Sequence, residues 1–382
     1  MATTRTTQDT TRTGTLYLAF ELGQSRWKLG FSTGLGQKAR ERDINARHTN
    51  GVLAEIAAAK KRFKLPTDAR VVTCYEAGRD GFWLHRFLTN NGVDNVVVDS
   101  ASIEVNRRSR RAKTDRMDVR KLLSQLIRYD AGERKVWGVV HVPSPDEEDR
   151  RQLHRELQTA KRDRTRVTNR IKGLLANQGL MMDLKGDWLL RLDTRQLWDG
   201  SPVCPGLRAR LAREWRKVEV LNEEIATLEN ERKEKVQAAA DRSTRMVKQL
   251  FELKGIGLNS AWLYVMEFFG WRDFRNRREL ASLAGLTPTP HQSGDLRRER
   301  GITKAGNRHV RSMAIEIAWC WVRFQPQSAL ARWFQRRFGG GGSRQRRVGI
   351  VAVARRLLIE LWRYLETGAL PDGAELKPQL RY

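Results

Sequence analysis

Between Leu16 and Ser100 the chain alternates short apolar runs with longer amphipathic ones. TLYLAFEL and RWKLGFST are strand-like and are separated only by the turn signal Gly23–Ser25, which predicts a hairpin. LAEIAAAKKRF has helical spacing. ARVVTCYEA predicts a strand, DGFWLHRFLTNNG a helix that stops at a glycine, and DNVVVDS another strand. A hairpin followed by β-α-β units predicts a mixed α/β sheet over residues 15–142. KTDRMDVRKLLSQLIRY then predicts a helix with apolar positions at Met117, Leu122 and Leu126.

Past the Pro-rich break VPSPDEEDR the period changes. Leu153, Leu157, Ala160, Arg164, Val167, Ile171 and Leu174 recur four and three apart, a heptad seam with one polar member. The spacing resumes at Leu211, Trp215, Val218, Leu221, Ile225 and Leu228, after an insert near residues 179–206. This predicts a coiled-coil region over 150–245, either an antiparallel hairpin within the chain or a dimerising seam. A mostly α-helical third region spans 246–370. Its last helix, VGIVAVARRLLIELWRYLETG, carries Ile350, Ala354, Leu357, Leu361 and Tyr364 on one side. The preceding FGGGGSRQRR predicts a flexible joint. Residues 1–14 and 371–382 are expected to be tails.

Charge then narrows the function. The 382 residues include 72 Lys and Arg against 44 Asp and Glu, a formal charge of +28. That balance suits nucleic acid or an anionic membrane surface. No apolar run approaches the ~18 residues of a membrane span, so a soluble protein is expected. Cys74, Cys204 and Cys320 are isolated, which argues against a zinc site and against a disulfide framework.

Two segments carry candidate chemistry. In NRRSRRAKTDRMDVRKLL the basic side chains Arg107, Arg108, Arg110, Arg111, Lys113 and Arg116 surround Asp115 and Asp118. Phosphate binding explains the first set and not the second. The two acids open a predicted helix, three residues apart, so they can share one face. Glu21 and Glu76 sit near the ends of predicted strands, where functional groups of open α/β sheets gather. Four converging carboxylates repel one another unless hard divalent cations such as Mg²⁺ lie between them. Acids in a first helical turn also simply suit the helix dipole. In TPTPHQSGDLRRERGITKAGNRHVR, Ser293 is followed by Arg297, Arg298, Arg300, Lys304 and Arg308. A hydroxyl beside guanidinium groups can attack a phosphodiester, although Ser-Gly is also ordinary turn chemistry. LKGIGLNSA, with Gly255 and Gly257, suits a helix-hairpin-helix element that approaches DNA phosphate, or a plain helix-helix turn.

CYEAGRDGFWLHRFL, AKTDRMDVRKLL, LKGIGLNSA, LASLAGLTP and SGDLRRERGITKAGNRHVR occur in that order between about Leu16 and Gly368. Together they resemble the landmarks of the DEDD-type transposases of bacterial insertion sequences, the bridge-RNA-guided recombinases. The resemblance implies an RNase H-like (RuvC-like) N-terminal domain with an acidic tetrad, a coiled-coil middle and a C-terminal domain with a catalytic serine. Carried over, the acids are Glu21, Glu76, Asp115 and Asp118, and the serine is Ser293. The usual pattern has Asp where YLAFELGQS has Glu21, a residue longer by one methylene. The resemblance further implies Mg²⁺, target and donor DNA, a structured guide RNA, a homo-oligomer (dimer or tetramer), a covalent phosphoserine intermediate, and a cytoplasmic, nucleoid-associated site of action. Two other readings use the same residues: a metal-dependent structure-specific nuclease that hydrolyses with water, and a non-catalytic nucleic-acid scaffold.

Overall fold

The computed structural model describes residues 14–103, 115–293 and 296–378, with backbone alone for Ala101, Asp115, Arg116 and residues 290–293 and 296–300. The chain forms two compact units, Met1–Pro143 and Ser144–Tyr382.

The first unit runs β1 (Leu16–Leu22), β2 (Arg26–Ser32), β3 (Arg40–Asn45), α1 (Thr49–Arg62), β4 (Val71–Glu76), α2 (Trp83–Asn90), β5 (Asp94–Val98) and α3 (Asp115–Asp130). Its sheet has the order β3-β2-β1-β4-β5. The first three strands are antiparallel neighbours, while β1, β4 and β5 are parallel. β3 is an addition to the expected elements. Its sequence, RERDIN, has no apolar alternation because it is an exposed edge strand, and charges there discourage pairing with another chain.

Both sheet faces are covered, which explains the unbroken apolar runs of β1 and β4. Leu18 and Phe20 face a core completed by Val52, Ile56 and Ala59 of α1 and Leu84 and Leu88 of α2. Ala19, Val72 and Cys74 belong to a second core with Val119, Leu122, Leu123, Leu126 and Ile127 of α3. The buried stripe of α3 therefore begins at Val119. Met117, expected on the apolar side, is 42% exposed. Gly30 of β2 lets α3 come close: a Cβ there would lie 3.3 Å from both Val119 methyls.

The second unit continues with α4 (Pro145–Asp149), α5 (Gln152–Ala176), α6 (Trp188–Asp193), α7 (Pro205–Ala238), α8 (Arg242–Glu252), α9 (Leu258–Tyr264), α10 (Arg277–Leu283), β6 (Pro288–Ser293), β7 (Leu296–Ile302), α11 (Arg308–Phe324), α12 (Ala329–Phe334) and α13 (Ser343–Thr367). α5 and α7 form an antiparallel hairpin. Their cross-links reverse in order along the chain: Lys161–Glu229 at 2.5 Å, Arg164–Asn222 at 3.2 Å and Arg170–Glu214 at 2.7 Å. The heptad seam is thus taken up within the chain, with Leu175 rather than Leu174 as its fully buried last member. α6 and the insert pack at one end of the hairpin around Trp188. The other end shares a core with α8, α9, α11 and α13.

The glycine joint is shorter than its sequence suggests. Gln335–Gly339 forms a π-helical turn and α13 starts at Ser343. Gly349 admits the Phe338 ring, since a Cβ at 349 would lie 2.5 Å from Phe338 Cγ. Residues beyond α13, expected as a tail, lie along the α8–α9 turn. Leu376 bridges to Leu253, and Lys377 Nζ donates to the carbonyls of Phe251 and Ile256.

Candidate active site

Glu21 and Glu76 occupy matching positions in the first unit. Phe20 and Tyr75 are register partners on the parallel strands β1 and β4, so the next residue on each strand is a glutamate at the same level. Alternation along a strand puts Glu21 with Ala19, and Glu76 with Val72 and Cys74, on the sheet face that α3 covers. Both line a cleft of about 470 Å³ at the carboxyl ends of the strands, together with Gln24 and the loop from Ala77 to Gly81. This is where an open α/β sheet places its functional groups.

The direction of α3 brings its first turn toward the same end. Asp130, its last residue, accepts hydrogen bonds from the Tyr17 hydroxyl (2.9 Å) and from Arg70 (3.0 Å), at the opposite ends of β1 and β4. Val119 packs on Gly30, which pairs with Ala19 further along β1. The helix therefore runs antiparallel to β1, with Asp115 and Asp118 in its leading turn. Asp118 is half-buried and does not line the Glu21–Glu76 cleft. Among the described residues no group of three or more His, Cys, Asp or Glu is placed to hold a metal ion. The structure thus joins two of the four expected acids and sets the helix of the others on their sheet face. The donors present fit a hard divalent cation, because the cleft offers carboxylate oxygens and no His or Cys.

Asp80 is a cleft residue that sequence reasoning passed over. Its carboxylate, 7% exposed, lies 3.1 Å from Arg47 and 3.8 Å from Arg79. The available signal was its place in the loop directly after β4. Arg107, Arg108, Arg110, Arg111 and Lys113 lie outside the described residues, and Arg116 is described by its backbone alone.

In the second unit, Ser293 ends β6 and pairs with Leu296 of β7. The segment is a two-stranded ribbon, with Ser293 at the end of the first strand and a register shift at Pro288/Pro290, where the ring nitrogens offer no donor. His291 pairs with Arg298 and Gln292 with Arg297. Arg300 lies further along β7. Two glycines lock the base of the ribbon. Gly285 (φ +67°) and Gly306 (φ +95°) press against the carbonyls of Ala305 and Leu283, where a Cβ would come within 2.1 Å. Lys304 N donates to Gly285 O (3.2 Å) and Asn307 N to Leu283 O (3.0 Å). Asn307 then caps α11, accepting from His309 N and Val310 N. Lys304 and Arg308 are exposed beside this base.

Gly255 has φ +87° in the α8–α9 turn and packs on the Cys320 carbonyl, while Gly257 is the N-cap of α9. The turn thus has a structural reason for its first glycine.

An ion pair with a buried carboxylate joins α5 to the core of this unit. Glu267 is held by both ends of the Arg155 guanidinium at 2.8 and 3.1 Å. Burial works against its charge, but Arg155 and Arg151 prevail and keep its pKa below the usual value. His154 beside it is 2% exposed, and both ring nitrogens lack a hydrogen-bond partner within the protein. Burial pushes its pKa down to about 4.

Comparison with known proteins supplies a family. Residues 247–333, which contain the α8–α9 turn and the Ser293 ribbon, match the Transposase IS116/IS110/IS902 family. The chain is 39% identical over 377 residues to "Putative transposase y4rJ" of Sinorhizobium fredii, covering 95% of each. It is 29% identical to "Probable family 20 transposase" of Pseudomonas aeruginosa over 59% of this chain and 65% of that one. It is 27% identical to "Transposase for insertion sequence element IS1328" of Yersinia enterocolitica over 51% of this chain and 58% of that one. No described helix is long and apolar enough to cross a membrane. Near full-length similarity of this strength places the chain in the IS116/IS110/IS902 family, as an insertion-sequence transposase acting on DNA.

Proposed function

We propose that this transposase cuts and rejoins DNA through a phosphoserine formed by Ser293, at a site completed by Mg²⁺ on Glu21, Glu76, Asp115 and Asp118. The observation that carries the reading is the pair Glu21 and Glu76, level with each other at the ends of adjacent parallel strands and lining one cleft. The mixed sheet, an antiparallel meander extended by parallel crossovers, supports the RNase H-like assignment of this unit.

Ser293 Oγ attacks the scissile phosphorus, a P–O bond to serine forms, and one P–O bond to the adjoining sugar breaks. The departing sugar oxygen takes up a proton and the serine hydroxyl gives one up. The phosphoserine keeps one phosphodiester in place of the one lost, so a strand hydroxyl from a second duplex can attack it, release Ser293 and reseal DNA without ATP. Arg297, Arg298, Arg300, Lys304 and Arg308 hold the phosphate and spread its developing charge. A divalent ion bound by the carboxylates supplies Lewis-acid stabilisation of charge on the phosphoryl and leaving oxygens. The segment Arg107, Arg108, Arg110, Arg111, Lys113 and Arg116 guides the backbone toward the acids. Because acids and serine belong to different units, a homo-oligomer in which one copy lends Ser293 to another's acids completes the reading. An element-encoded structured RNA selects target and donor DNA by base pairing, and the net positive charge accommodates both nucleic acids.

The test is Ser293→Ala with a labelled DNA substrate and denaturing gel analysis. The expected result is loss of both strand exchange and the covalent protein–DNA adduct. Full cleavage by that variant would transfer the chemistry to water and to a nuclease-type reaction.

A further inference from the structure

One part of the second unit carries charge that the chemistry above does not use. From Ile317 to Ile359 there is no Asp or Glu, and there are nine arginines. Arg332, Arg336 and Arg337 precede the glycine joint, and Arg344, Arg346 and Arg347 follow it. All six are exposed, and none has a carboxylate partner among the described residues. Packing of α12 on α13, and of Phe338 on Gly349, keeps the two groups in one part of the molecule. An arginine-rich, acid-free run of this kind attracts a polyanion.

The same segment opens onto a cleft of about 430 Å³. The Arg356 guanidinium lies 4.0 Å over the Trp333 ring, so the cleft wall presents a stacked pair of planar groups. Leu330 and Leu357 supply apolar lining, while Glu360 and Asp372 are also present, Glu360 being 3.0 Å from Arg363. Carboxylates inside the cleft disfavour a phosphate there and accept from amino groups. A planar base suits the cleft, and its phosphates suit the arginines outside. A base in a duplex has no free face to offer, whereas single strands are held by such stacking platforms beside basic grooves. Transposition exposes unpaired DNA strands at the cut sites.

We propose that this surface binds single-stranded DNA, with backbone phosphates on the arginines of residues 332–347 and one unstacked base against Trp333 and Arg356. The proposal is independent of the serine and of the acidic cleft. It is tested on the full chain with chelator present, by fluorescence anisotropy of a labelled oligodeoxynucleotide of about 15 residues across a salt series. The combined variant R344A/R346A/R347A is expected to flatten the log–log salt slope by about 2, from ~0.7 per lost phosphate contact. Trp333→Leu and Arg356→Gln are expected to weaken single-strand binding roughly tenfold and to leave duplex binding unchanged, while Trp333→Phe keeps most of the affinity. Ser293→Ala should bind like the unaltered chain, which separates this surface from the phosphoserine reaction. An unchanged salt slope overturns the proposal. So does full single-strand affinity in Arg356→Gln, or equal weakening toward duplex. Tighter binding of an RNA of the same sequence overturns the assignment to DNA.

Discussion

His154 shows how one buried residue sets a pH dependence for the whole second unit. Its imidazole is enclosed near Glu267, Arg155, Arg232 and His309, and burial is the main reason its pKa falls to about 4. The unfolded chain protonates the same ring near 6.5. Between those values the unfolded state binds more protons than the folded state, so stability rises with pH. The contribution is complete above pH 6.5 and is lost as pH falls toward 4. At pH 5 the loss is expected to be roughly 2 kcal/mol. His154→Leu removes the titrating ring while keeping an apolar group of similar bulk. Urea midpoints at pH 7 and pH 5 should therefore move less in the variant than in the unaltered chain. An equal shift in both would mean that the acid sensitivity arises elsewhere.

At the scale of elements, the Ser293 ribbon depends on two left-handed glycines at its base. Ala at 306 needs φ near +95° and brings Cβ within 2.1 Å of the Leu283 carbonyl, which is backbone and cannot swing away. Gly301, at φ +88°, has no heavy atom within 4 Å of its added Cβ. Gly301→Ala is thus expected to cost about 1 kcal/mol of conformational strain, and Gly306→Ala about 3 kcal/mol. The larger value corresponds to a melting temperature lower by roughly 6–12 °C. Equal shifts for the two would remove the steric argument. The same ribbon shows what local pattern can convey. β1, β2, β4 and β5 were legible because their apolar runs meet a core. PTPHQS and LRRERGI have no such runs, and their pairing is a backbone matter. The edge strand RERDIN was hidden for the same reason. Heptad spacing announced α5 and α7 but is identical for a partner within the chain and one outside it. Glu21 and Glu76 were legible as strand ends. Asp80 was not, because its main ion pair is with Arg47, 33 residues earlier in the chain.

For the whole molecule, the division into two units puts Glu21 and Glu76 in one and Ser293 in the other. The proposed chemistry needs both, which makes the source of the serine the decisive question. The α5–α7 seam closes within the chain, so an oligomer that lends its serine across copies must use other surfaces. Mixing two inactive variants decides the matter. Glu76→Gln retains the serine and Ser293→Ala retains the acids. If each site draws its serine and acids from one copy, every site in the mixture lacks a component and no strand exchange appears. If the serine comes from the other copy, a mixed dimer contains one site with both native components. Random pairing of equal amounts, with two sites per symmetric dimer, then restores about a quarter of the unaltered activity. Strand exchange in the co-refolded or co-expressed mixture, with each variant alone inactive, is the outcome expected. Silence of the mixture, with both variants shown to bind DNA and to associate, would place serine and acids of each site in a single chain.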